Sequence, residues 1–211
     1  MWDLLFGAML SVFVAGKSQF SGVQPLASHA FSMGYRYQDP WVSEVFADNI
    51  LLTLAYMRQT VRKGEQVDWS TVREPFHWSL DIEPGSVVTY HANVLPKYER
   101  IAIPLTNVYF NGSEGFRSDG YLVGDGTCQL ASLLSWVARD AGLTVEAPVN
   151  HDFAAIPEVP KEQGVSIYSH PTNKARSATQ NLYIQNDFSR VVRFAFHYDG
   201  ETLRISASKL L

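Results

Sequence analysis

The sequence predicts an α+β protein: an antiparallel sheet with a cysteine-bearing helix packed on it, preceded by an N-terminal helical region. Three observations lead there. Two segments, one opening at Asp39-Pro40 and one spanning 124–142, place apolar residues at helical spacing between helix start and stop signals. Beyond Gly142, four short segments read as strands, at 165–169, 181–185, 191–198 and 202–207. The last two are joined by Asp199-Gly200, a two-residue turn suited to an antiparallel hairpin.

Composition bounds the answer. The 211 residues suit one large domain, or a domain with a smaller N-terminal annex. At 46% hydrophobic and 18% charged, the chain can bury a real core. The 17 Lys and Arg against 21 Asp and Glu give a net charge of −4, with no basic run, so nucleic acid is not an expected partner. A single cysteine excludes a disulfide framework and a cysteine-rich zinc site. No cofactor is called for.

Residues 4–15 (LLFGAMLSVFVA) form a continuous apolar run. It is shorter than the roughly 20 residues that cross a bilayer, and Asp3 stands where a signal peptide carries basic residues. The run is expected to pack as a helix; membrane association through an export or anchor segment is the alternative. Residues 19–38 have no clear period and read as loop with short ordered pieces.

Asp39 and Pro40 then open a helix that carries Val42, Phe46, Ile50, Leu54 and Met57 on one face and closes at Gly64. Its Glu44 and Asp48 read as a solvated acidic face. These elements make residues 1–75 an N-terminal helical region, and 76–211 the α+β domain. Leu80 and Ile82 begin a period-two pattern, Pro84-Gly85 turns the chain, and 86–92 reads as a second strand. Residues 101–110 suggest another, and 111–125 are a glycine-rich loop.

The segment 124–142 (GDGTCQLASLLSWVARDAG) is the most informative. Thr127 is the expected cap, Cys128 follows in the first turn, and Gly142 ends the helix. Leu130, Leu133, Leu134, Val137, Ala138 and Ala141 form the apolar stripe. Cys128 falls about 160° from Leu130 and shares its face with Ser132, Ser135 and Arg139. A buried free cysteine belongs on the apolar stripe, and this one is off it.

A thiol in the first turn of a helix lies near the positive dipole end, which lowers its pKa. The glycines at 120, 124 and 126 would bring backbone close to the sulfur, and the same amides could hold an oxyanion. A nucleophilic cysteine needs a base. Among His29, His77, His91, His151, His170 and His197, the best placed is His151, in Asn150-His151-Asp152 soon after the helix ends. Asn181, Asp152 or Asn150 would orient it. The order Cys128, His151, Asn181 matches the chain order of many cysteine–histidine sites.

Several short motifs carry a resemblance. They are Glu83-Pro84-Gly85 ahead of a strand, GDGTCQLAS at 124–132, His151, Val159-Pro160, LYIQN at 182–186, and the closing hairpin. Over residues 78–207 this pattern resembles the VanW family, named for an accessory protein of vancomycin-resistance clusters. The resemblance carries over Cys128, Gln129 and His151. Gly164 and Asn181 stand where that family commonly has Asp, so if either Asp orients the histidine, that role passes to Asn181 here or is lost. The resemblance implies extracytoplasmic work in a bacterial cell envelope, with no established reaction. A cytoplasmic location stays open.

Three readings follow. In the first, Cys128 is the nucleophile of an acyl-transfer enzyme (amidase or transpeptidase) acting on peptidoglycan-type peptides. His151 is its base, Asn181 or Asp152 the orienting group, and residues 126–129 with the Gln129 amide the oxyanion hole. In the second, Gly124, Asp125, Gly126 and Thr127 help form a groove that binds a cell-wall peptide without chemistry, and Cys128 only packs. Tyr121, Trp136, Tyr168 and Tyr183 are candidates to line it. The third is a metal site using His151, Asp152 and another histidine, which adjacent side chains on a strand serve poorly.

Overall fold

The computed structural model describes residues 22–211, so the apolar run at 4–15 lies outside the described residues. The architecture is α+β, with two four-stranded sheets sharing one core with two central helices. In chain order the elements are β1 (Val23–Ser32), α1 (Pro40–Met57), the single turn α2 (Trp69–Val72), β2 (Phe76–Ile82), β3 (Val87–His91) and β4 (Ala102–Thr106). Then come α3 (Thr127–Asp140), β5 (Thr144–Glu146), α4 (Lys174–Thr179), β6 (Tyr183–Gln185), β7 (Val192–Tyr198) and β8 (Thr202–Leu210).

The first sheet has the order β1-β8-β7-β2 and is antiparallel throughout. Its inner face follows the expected alternation: Val192, Phe194, Phe196 and Tyr198 are buried from β7, and Leu203, Ile205 and Ala207 from β8. The second sheet has the order β4-β3-β6-β5; its β3–β4 pair is parallel, the one departure from antiparallel pairing. Pro84-Gly85 does turn the chain, with Gly85 at φ 74°, but it carries the chain from one sheet to the other, not into a hairpin.

Residues 23–32 form a ten-residue strand, where the sequence suggests loop. The strand is fixed by its partner: β1 pairs with β8 from Val23↔Leu210 to Ser32↔Thr202. Its own pattern is weak, because a bulge between Pro25 and Ala27 interrupts the period. The described part of the N-terminal region therefore completes the first sheet, and Phe31, Val45, Ile50 and Leu54 are fully buried.

Helix α1 starts as expected, with the Asp39 carboxylate accepting from Trp41 N at 2.8 Å and Pro40 in the first turn. It ends at Met57, before Gly64. From Asp48 to Met57 every residue is buried, which is how a helix inside a core reads. The acidic pair is a solvated face only in part: Glu44 is exposed, but Asp48 is not. Asp48 is 2% exposed, and Arg73 donates to it from Nε at 2.8 Å and to Glu44 at 2.8 Å. Arg117 also donates to Glu44, at 2.8 Å, and to Asp48. A carboxylate this buried needs such partners.

Helix α3 packs on β1 and β8 of the first sheet, on β5 of the second, and on α1. Its stripe of Leu130, Leu133, Leu134, Val137 and Ala138 is fully buried, and Gly142 follows at φ 79°. Among the described residues, no helix is long and apolar enough to cross a membrane.

Candidate functional site

The N-terminal end of α3 is held by the two glycines before it. Gly124 (φ 86°) and Gly126 (φ 102°) are left-handed, and a Cβ on either would lie 2.6 Å from Phe110 O or 2.5 Å from Phe46 O. The glycines at 124 and 126 bring backbone against these carbonyls, while Gly120 has open space around it. Gly126 is the N-cap, so the expected Thr127 cap is displaced by one residue; Thr127 Oγ1 donates back to Gly124 O at 2.9 Å. Tyr90 OH donates to Thr127 O at 2.9 Å, pinning the helix start to β3. Asp125 O accepts from Asn49 Nδ2 at 2.8 Å. Burial, then the neighbouring Asp119 carboxylate, pushes the Asp125 carboxyl up to about 6.

Cys128 is off the apolar stripe for a reason the sequence does not display. Ile167 N donates to its Sγ at 3.3 Å, and Val165 N donates to Ser132 Oγ at 2.8 Å. Four residues of helix rise about 6 Å, and two residues of extended chain span about 6.6 Å. A helix face bearing acceptors at 128 and 132 therefore matches the amides of an extended segment at 165 and 167. Residues 165–169 are for that reason not the strand the alternation suggests. Ser166 N and Tyr168 N point elsewhere, to Val149 O and Gln180 O at 3.0 Å each.

This docking reverses the expected thiol chemistry. Cys128 is half-buried as a residue, but its sulfur faces inward against Ile167, and this desolvation pushes the thiol up to about 11, opposed only in part by the Ile167 amide. The helix terminus does not produce a thiolate at neutral pH, because desolvation outweighs it.

Gln129 is 2% exposed and fully engaged. Its Oε1 accepts from Arg36 Nε, and its Nε2 donates to Tyr37 OH at 2.8 Å, so its amide does not serve an oxyanion hole. Arg36, itself 3% exposed, also donates to Ser32 O at 2.9 Å and pairs with Glu158 at 3.5 Å. Arg36 and Tyr37 escape sequence reasoning. They sit in a stretch without period, more than ninety residues from Gln129.

Among the described residues, no hydrogen bond joins Cys128 to His151. His151 lies on the irregular chain after β5, where it lines a cavity of about 220 Å³ with Asp152, Phe153, Ile156, Val159, Lys161 and Gly164. Its buried Nδ1 has no partner among the described residues, and burial lowers its pKa. Asp152 acts on it only as a nearby negative charge. Asn181 is elsewhere: Oδ1 accepts from His91 N at 3.2 Å, and Nδ2 donates to His91 O and Asn93 O at 3.0 and 2.9 Å. It ties β6 to the end of β3 and does not orient His151. Among the described residues, no three His, Cys, Asp or Glu side chains gather to hold a metal.

What opens beside the cysteine is a groove of about 440 Å³. Phe110 and Asn111 line one side, Leu122, Val123 and Thr127 the glycine loop and helix start, and Ile167 to Pro171 the other wall. Of the four aromatic candidates, only Tyr168 lines it. Tyr121 is 92% exposed, Trp136 stacks on His29 at 3.5 Å, and the Tyr183 hydroxyl donates to Ala178 O at 2.7 Å. The Arg176 guanidinium lies 4.7 Å from the Tyr168 ring centre, with no acidic partner among the described residues.

No family model matches the chain, and comparison with curated proteins and with solved structures finds no match.

Proposed function

We propose that the chain is a non-catalytic binding module of a bacterial cell envelope, and that its groove takes an extended cell-wall peptide bearing a free carboxylate. One observation carries this reading: the Cys128 thiol is already used as an acceptor for Ile167 N–H, and the wall it holds in place lines an open groove. The groove is mostly apolar, which suits alanine-rich peptide. Arg176, stacked on Tyr168, is the cation for the carboxylate, since a guanidinium recognises it through two parallel hydrogen bonds. The envelope location rests on the VanW resemblance.

The test is calorimetric titration of the chain with a soluble stem peptide, and with the same peptide amidated at its C-terminus. The free acid is expected to bind at least tenfold more tightly, and Arg176→Gln to remove that preference. Cys128→Ala is expected to weaken binding far less than Arg176→Gln does, since Ser132 Oγ still holds the wall through Val165 N–H. Absence of binding at about 1 mM peptide, or a peptide-dependent acyl adduct on Cys128 by mass spectrometry, overturns the proposal.

A further inference from the structure

The outer face of the first sheet carries a pair of histidines that the groove does not use. His77 on β2 and His197 on β7 are direct cross-strand partners, both exposed, and their Nδ1 atoms are 2.8 Å apart. The ring centres are 4.6 Å apart at an interplanar angle of 49°. We propose that His77 and His197 form a two-histidine chelate for a divalent transition-metal ion that prefers cis nitrogens, Cu²⁺ or Ni²⁺.

The geometry carries the choice of ion. Metal–nitrogen bonds of about 2.0–2.1 Å at a right angle place two nitrogens about 2.8–3.0 Å apart, whereas a tetrahedral site spreads them to about 3.4 Å. The observed 2.8 Å matches the first arrangement. The backbone ladder holds the two residues opposite each other, and the rings turn out of their mutual hydrogen bond so that both Nδ1 lone pairs converge on the ion. The adjoining pair is Ser79 and Ala195, small enough to leave the approach open, and β2 is an edge strand.

The next pair along, Asp81 and Arg193, is joined by hydrogen bonds of 2.6 and 2.7 Å and does not compete. On the other side of His197 the register partner is Arg204. In the metal-free pair one Nδ1–H donates to the other Nδ1. On binding, that proton transfers through solvent to Nε2 of its own ring, both Nδ1 lone pairs go to the ion, and no net proton is released. Water fills the remaining positions.

The experiment titrates the full chain with Cu²⁺, Ni²⁺ or Zn²⁺ salts alone, by calorimetry and by ¹H–¹⁵N NMR. One equivalent of Cu²⁺ or Ni²⁺ is expected to bind more tightly than Zn²⁺, with Cu²⁺ broadening the amides around 77 and 197. His77→Asn and His197→Asn are each expected to weaken binding at least tenfold while leaving the melting temperature in place, since both side chains are exposed. No binding at about 1 mM metal, broadening centred elsewhere, Zn²⁺ equal to Ni²⁺, or single variants binding like the parent overturns the proposal.

Discussion

Two regions meet at Ile167, and they use their polar groups in opposite ways. At the start of α3, Thr127, Cys128, Gln129 and Ser132 each have a partner within the protein. Beside the groove wall, Arg176 stands on Tyr168 with no acidic partner among the described residues, and the exposed His170 ring is bonded only to Thr172. The segment with the recognisable motif is architecture. The segment with unused hydrogen-bonding capacity has no motif at all. Substitutions at the helix start should therefore change stability, and substitutions at the groove wall should change binding.

The largest expected effect breaks the architecture outright. Gly126→Ala puts a Cβ 2.5 Å from Phe46 O at φ 102°, and α1 and α3 would have to part to admit it. A loss of about 4 kcal/mol is expected, from the left-handed backbone together with overpacking. Urea unfolding should show the midpoint fall with little change in slope. A loss below about 1 kcal/mol would mean the loop is free to move, and the helix start is less fixed than its contacts imply.

Gln129→Leu comes next. It leaves Arg36 Nε unpaired inside the protein, although Ser32 O and Glu158 still hold the guanidinium. Removing one partner of a buried charge costs about 2–3 kcal/mol in such a setting. Equilibrium unfolding reads that cost directly. If Gln129 were an oxyanion-hole residue instead, stability would barely change.

Periodicity made the parts of this fold with short-range causes legible. Helix α3 has an apolar stripe and a terminal glycine, and β7 and β8 alternate around Asp199-Gly200. Strand β1 was illegible because its partner is β8, at the other end of the chain, and because a bulge breaks its period. Residues 165–169 alternate like a strand, yet two of their amides go to side chains of a helix. The candidate site divides along the same line. Cys128 stands out as an oddity on its helix, but what satisfies it lies 39 residues on. The Gln129 partner lies 93 residues back, and the two histidines paired on the outer sheet face are 120 residues apart.

The smallest expected effect separates the two regions most sharply, because it tests the thiol itself. A raised thiol pKa means the folded protein favours the protonated sulfur. The stability that follows is complete below the ordinary thiol value of 9.0 and is lost as pH rises toward about 11. Iodoacetamide should label the native chain slowly at pH 7 and faster only well above pH 9, whereas the unfolded chain labels around its ordinary pKa. Cys128→Ala removes the acceptor of Ile167 N–H and should cost about 1 kcal/mol near neutral pH. Cys128→Ser keeps an acceptor and should cost less. Because tyrosines and lysines also titrate above pH 9, the readout is the difference between parent and Cys128→Ala, which should narrow as pH rises through that window. A difference that widens, or rapid labelling at pH 7, would mean the helix terminus outweighs burial after all, and Cys128 would return as a nucleophile.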